Sequence, residues 1–595
     1  MLGAVFQGTE SSRFPDRGAA IPSLRNAGIR TLASVDTLSI RCYSRRSFRA
    51  MAAAIEHLET GESMSSSAEN KPTVAHQIRR ASIKIAAWAV VLAGVYSVYY
   101  KYVLTSRELK DRREKITSLM RHDNPADYRQ SAKLLDEGLA LRDSEPWFNA
   151  TRAEVAGLLW VEGGENDSRG TAERYLKTTI DMGINSGQRF DAEALALIGA
   201  GQLSEAEDKL VDVVNKSGGT AAILADLGII HEHQGKLQAA KNDLKQATDR
   251  DWVNPRFGAL YGEALFDDGD YGNAVAVFQK AMEGNPNHLR SLIGKARAEL
   301  ALQEHVADST KSLTDILAAP EALTPVLKLR ALVGKSEALL AAGDAPGAEA
   351  AARQALDAKV EGDSGVAYAQ YNLGLSLATQ KKPGALDAFK QAIALVGYIP
   401  HFYFDGAIGL AKAGQNADGL ALLNQYAARI TDAQGKMKTD DAYHRAKGEF
   451  LTLTNQLDDA LKEYDLAIAD NNVNADAYYR KGLVLRMQGQ ALKGDKQRDL
   501  YNSALEELDK AIQFRERFPD AYRAAGLIFL DVSPTDPKVM EKFTKALVYY
   551  KDTKAPKTVT DAFITEVEQR YLKYGGKFKK TAADWKKEAT AALKP

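Results

Sequence analysis

At 595 residues the chain is long enough for several ordinary domains or for one extended array of repeats. Its 78 basic and 78 acidic side chains cancel, so no global field recruits nucleic acid or an anionic surface. The single cysteine, Cys42, excludes intramolecular disulfides and cysteine-rich zinc modules.

Residues 1–63 stand apart, with eight arginines, no lysine and three acids up to Asp36. Two readings stay open. The composition suits a mitochondrial transit peptide, with Arg41-Cys42-Tyr43-Ser44 shaped like a processing site. It equally suits a disordered upstream extension before a start at Met51 or Met64. Residues 64–84 form a polar and basic leader. Ile85 to Tyr100 is uncharged, and Lys101 can snorkel, so residues 85–104 predict one transmembrane helix about 30 Å long with the lipid bilayer as its partner. Trp88 at one end and Tyr96, Tyr99, Tyr100 and Tyr102 at the other suit interfacial belts. Orientation is balanced. The excess of basic residues after the span favours a cytoplasmic C-terminal part, whereas a short basic leader before an uncleaved span favours export. The chain is read as single-pass, with its repeats periplasmic at a bacterial inner membrane or, alternatively, at a mitochondrial membrane.

A charged helix over 105–124 is expected to link the span to the rest of the chain. Ala172, Ala206, Ala240 and Ala274 then recur every 34 residues. Within 221–288 two copies of one unit are legible: Leu224, Leu227, Gly228, Gly235, Ala240, Leu244 and Ala247, then Gly258, Tyr261, Gly262, Gly269, Ala274, Phe278 and Ala281. This pattern resembles the tetratricopeptide repeat, a helix–turn–helix in which small residues let two helices touch. The resemblance implies an all-α, right-handed solenoid of about 12 repeats, because one unit cannot bury its apolar stripe alone. Repeats 1–5 are placed at 125–288 and a degenerate unit or joint at 289–328. Repeats 7–12 are placed at 329–552, with a polar insertion at 490–501 expected to lengthen the helices or their turn. Residues 553–595 read as capping helices.

No nucleophile elbow, phosphate loop or metal-ligand spacing is present, so no catalytic residue, cofactor or metal is assigned and the chain is read as a non-enzyme. His231 and His233 are two apart and diverge on a helix, which disfavours a shared metal. The repeat implies a concave groove lined by first helices. Its candidate partner-binding residues are Tyr371, Asn372, Phe404, Asp405, Arg445, Glu449, Tyr479, Arg480, Arg486 and Arg523. Exposed Tyr, Phe and Arg would suit a peptide with acidic and apolar side chains. The family's carboxylate clamp is disfavoured, since Val333 and Glu337 stand where Lys and Asn belong. The reading is a membrane-anchored scaffold for protein or peptide partners in envelope assembly, without nucleic acid or small-molecule substrate. An organelle import or assembly receptor and a regulatory subunit of an enzyme complex are the alternatives.

Overall fold

The computed structural model describes residues 74–553, 555, 557–574 and 579–592. The expectations for residues 1–63 and for the start of the leader lie outside the described residues. Two compact units, Met1–Ser97 and Val98–Pro595, are taken each by itself.

The apolar stretch is helical. Val74–Tyr99 runs through a π-helical turn, Tyr100–Leu104, into Thr105–Met120. One helix, Arg79–Met120, is thus long and apolar enough to cross a membrane, and none of its most apolar window is buried. Thr105–Met120 does more than link. It buries Leu109 and Ile116 against Pro125–Leu141, so it acts as the first helix of a pair.

From there the chain is a succession of antiparallel helix pairs, and no β-strand occurs among the described residues. Each pair is cut out locally. Thr220 and Asn254 accept hydrogen bonds from the backbone N–H groups of Ile223 and Arg256, capping first helices. Pro255 follows Asn254 at the start of the same helix, and Pro400 and Pro519 open others, where a missing N–H does no harm. Gly235 and Gly269 turn the chain into the second helix at φ of 72° and 80°, a region that side chains avoid. Ala206, Ala240 and Ala274 are fully buried where the helices cross. A Cβ on Gly228 would lie 2.5 Å from Leu244, and one on Gly262 would lie 2.6 Å from Phe278.

Where the interval loosens, the architecture does not. Leu289–Ala301 and Val306–Leu317 form an ordinary pair after a turn longer by one residue, with Gln303 and His305 at positive φ. Ser309 takes the small-residue place and donates to Glu299 at 2.7 Å. The residues around 490–501 extend both helices of their pair, Ala475–Gln490 and Asp495–Phe514. Lys557–Lys573 and Lys579–Ala592 close the array, burying Phe563, Val567, Tyr571 and Trp585 against Phe543 and Tyr550.

Beyond neighbouring pairs, the solenoid touches itself. The Asn285 side chain donates to the His122 carbonyl at 2.7 Å, across 163 residues. The Val326 N–H donates to the Gly163 carbonyl at 3.2 Å. Tyr398 packs on Gly235, with its ring 3.2 Å from where a Cβ would stand. Each contact joins points close to five repeats apart, so one turn of the winding rests on the next.

Candidate functional site

The first helices line the inside of the winding, and their side chains decide whether it is open. Arg256, Arg290 and Arg330 each sit six residues before a small or packing position, at Gly262, Ala296 and Ser336, so they stack in one column. Arg256 is 4 % exposed. It donates to Glu162 at 2.6 and 2.9 Å and to Asp226 at 3.0 Å. Glu162 ends the helix Pro146–Val161, ninety-four residues away in sequence, and its other oxygen accepts from Arg290 at 2.5 Å. Arg290 also grips Glu263 with both fork positions, at 2.9 and 2.8 Å. Arg330 pairs with the same Glu263 and holds Asp363 at 2.8 Å. Burial opposes ionisation of Glu263, but Arg290 and Arg330 outweigh it and hold its carboxyl down at about 2. The column is therefore charged, paired and largely dry.

Further along, aromatic rings take over. Arg297 lies 4.5 Å from the ring centre of Phe266 and 4.3 Å from that of Tyr368, and it binds Glu337 at 2.8 Å. The Tyr368 hydroxyl donates to Asp267 at 2.7 Å. Burial pushes the Asp267 carboxyl up to about 7, against that hydroxyl and Arg297. Burial, with Arg297 beside it, drives the His401 ring down to about 3. Small cavities lie along this wall, one of about 50 Å³ between Glu162, Arg290 and Val326 and one of about 20 Å³ beside Arg297 and Phe278. Neither holds more than a few waters.

The residues expected to line the groove divide in two. Tyr371, Asn372 and Phe404 are buried, contrary to the expectation of exposed rings. The Tyr371 hydroxyl donates to Asp405 at 2.7 Å, and its ring stacks on Phe402 at 4.9 Å. The Asn372 amide donates to the Val333 carbonyl, and Phe404 packs edge-on against Tyr426 at 4.7 Å. The reason is geometric, because positions facing a wide groove face a neighbour once the winding is tight. Beyond residue 440 the wall is less covered. Arg445, Glu449, Tyr479, Arg480, Arg486 and Arg523 are only partly buried. Arg480 pairs with Glu449 at 2.9 Å, Arg486 with Asp531 at 3.1 Å and Arg523 with Glu566 at 2.5 Å. Tyr479 leans on Phe518 at 4.9 Å, and Arg445 makes no direct ion pair among the described residues.

His231 bridges two helix pairs, with Nδ1 2.7 Å from Asp243 and Nε2 3.2 Å from Glu207, while His233 is exposed. No cluster of three metal-ligating side chains occurs among the described residues. The arginine column is absent from the expected groove residues. It leaves one trace in the sequence, two arginines one repeat apart at 256 and 290, but only folding supplies the acids that meet them.

The family model described as tetratricopeptide repeat matches residues 226–288 and 333–398, so the chain carries these repeats. No curated protein matches the chain in sequence. Among solved structures, yeast Tom70 is similar at 15 % identity and a TM-score of 0.36, over 82 % of this chain and 96 % of that one. The human IFIT1 dimer with m7Gppp-AAAA is similar at 14 % identity and a TM-score of 0.36, over 74 % and 98 %. The Cut9-Hcn1 hetero-tetramer of the APC/C is similar at 13 % and a TM-score of 0.30, over 72 % and 95 %.

Proposed function

We propose that this tetratricopeptide-repeat solenoid is a membrane-anchored scaffold that binds protein or peptide partners on the inner wall of its last repeat units and performs no catalysis. The anchor is the apolar helix that includes residues 85–104. One observation carries the choice of surface. Tyr371, Asn372 and Phe404 are covered by the chain's own side chains, whereas Arg445, Glu449, Tyr479, Arg480 and Arg523 keep part of their surface free. Arginine and tyrosine side by side favour a segment with acidic and apolar side chains, since a guanidinium grips a carboxylate and a tyrosine ring covers an apolar neighbour.

A photocrosslinker at position 479 in living cells tests this, with position 371 as the buried control. Position 479 should yield a discrete protein adduct that Arg480→Glu reduces at least about tenfold, and position 371 should yield none. Adducts with lipid or with the chain itself alone would overturn the assignment. The eight arginines of residues 1–63 favour a second reading, an assembly receptor at an organelle membrane. Mass spectrometry of the mature N-terminus separates the two, because cleavage near Tyr43 belongs only to the second.

A further inference from the structure

The turns of the winding are not of equal size. With Thr105–Met120 and Pro125–Leu141 counted as pair 1, Leu289–Ala301 and Val306–Leu317 are pair 6, and Pro519–Val532 and Pro537–Asp552 are pair 12. The loop inside pair 1 meets the loop after pair 5 through His122 and Asn285. The loop inside pair 2 meets the start of pair 7 through Gly163 and Val326, and the loop inside pair 4 meets the loop after pair 8 through Gly235 and Tyr398. Each of these contacts spans four and a half pairs. A further contact is longer. The His305 N–H, inside pair 6, donates to the Thr553 carbonyl, after pair 12, at 3.4 Å, and so spans six and a half pairs.

The number of pairs around a turn sets its bore. First helices packed about 10 Å apart put four and a half of them on a circle of about 7 Å radius. A helix with its side chains takes up about 5–6 Å of that radius, which leaves no passage. The ion pairs and rings that fill the first turn agree with this. Six and a half first helices lie on a circle of about 10 Å radius and leave a passage about 9 Å across. One extended chain fits such a passage, whereas a folded domain does not. The room lies against pairs 10–12, because Tyr371 of pair 8 and Phe404 of pair 9 stay covered, whereas Arg445, Tyr479 and Arg523 do not.

We propose that the last turn is a closed collar, clasped between His305 and Thr553, which encircles one extended segment of a partner and admits it only by a free end. This rests on the reading of the last units as the partner wall. Within the collar Arg445 and Tyr479 face the segment from one side, where a guanidinium takes an acidic side chain and a ring takes an apolar one. A segment held in this way slides along the bore but cannot leave sideways. The collar needs no natural partner to show itself, since it also encircles a synthetic chain, so the two readings fail separately.

The full-length protein in detergent, with Cys42→Ser, His305→Cys and Thr553→Cys, is bridged by a short bismaleimide that holds the clasp shut. Azidophenylalanine at position 479 then reports contact with a cyclooctyne at the midpoint of a proline-rich peptide, which is too stiff to double back. With both peptide ends free the azide should react. With both ends fused to small folded domains it should react at least about tenfold more slowly. An azide at position 473, where Val473 is exposed on the outside, should react equally with both peptides. If the cysteine variant does not fold, the unbridged chain is given the same two peptides. Equal reaction of both at position 479 would mean an open groove, and no reaction with the free-ended peptide would mean no passage. Failure of the two cysteines in a folded variant to bridge would mean no clasp. Any of these would overturn the collar.

Discussion

At the scale of single residues, the fold is written in what is missing as much as in what is present. The crossing glycines leave room for one large partner each, and the sequence shows this directly, since Gly228 and Gly262 stand one repeat apart opposite Leu244 and Phe278. Gly262→Ala would set a methyl 2.6 Å from the Phe278 ring, which is itself fully buried and cannot swing aside. We expect a loss of about 1–3 kcal/mol in urea unfolding. Gly272→Ala is the contrast. It lies in the helix Tyr271–Gly284 with nothing within 4 Å of the added carbon, so it should gain about 0.5–1 kcal/mol from the stiffer unfolded chain. The buried fate of Tyr371 and Phe404 is not legible in the same way. A residue's repeat position says which way it points along the pair, but not whether another turn is waiting there.

At the scale of elements, neighbouring helices pair because contacts three or four residues apart repeat along both of them. The terminal helices obey the same logic from the other side. Lys557–Lys573 covers Phe543, Tyr550 and Leu547, which belong to the last full pair. Truncation at residue 553 should expose that surface and make the repeat domain aggregate, measurable by size-exclusion chromatography. Between elements distant in sequence, Arg256 is the most heavily engaged side chain. Arg256→Gln would leave Glu162 with Arg290 alone and Asp226 buried without the cation it pairs with, and should destabilise by about 3–5 kcal/mol in the same urea assay. Replacing the partly exposed Arg515, paired with Asp476 at the surface, should change stability by less than about 1 kcal/mol.

For the whole molecule, buried acids of opposite behaviour set a pH optimum. Burial, reinforced by Asp267 and Glu263, raises the Glu232 carboxyl to about 8, and burial raises Asp267 to about 7. A folded pKa above the unfolded one means that this stability is fully present below about pH 4 and is lost as pH climbs through 7 to 8. Glu263 acts in the reverse sense. Held at about 2 by Arg290 and Arg330, it contributes above about pH 4.3 and loses that contribution as pH falls toward 2. Thermal melts monitored by circular dichroism should therefore peak at about pH 4 and decline on both sides. A steady rise in Tm up to pH 9 would contradict the assignment of these groups. The apolar helix makes a separate demand. Removal of residues 79–104 should release the chain from carbonate-washed membranes into the supernatant.

What the sequence determined by itself is the local rule: a fixed interval, the small residues at each crossing, the turn glycines, the capping side chains and one apolar helix before the array. These depend on neighbours within about a repeat, and their spacing is visible in a linear string. The tertiary structure alone decided that the winding closes upon itself. A small rotation from one helix pair to the next accumulates until Gly163 meets Val326 and His122 meets Asn285. No periodicity in the string records that sum. The tight winding is also why the inner wall before residue 405 is packed with charge and rings, and it is the reason for proposing the last units as the partner surface.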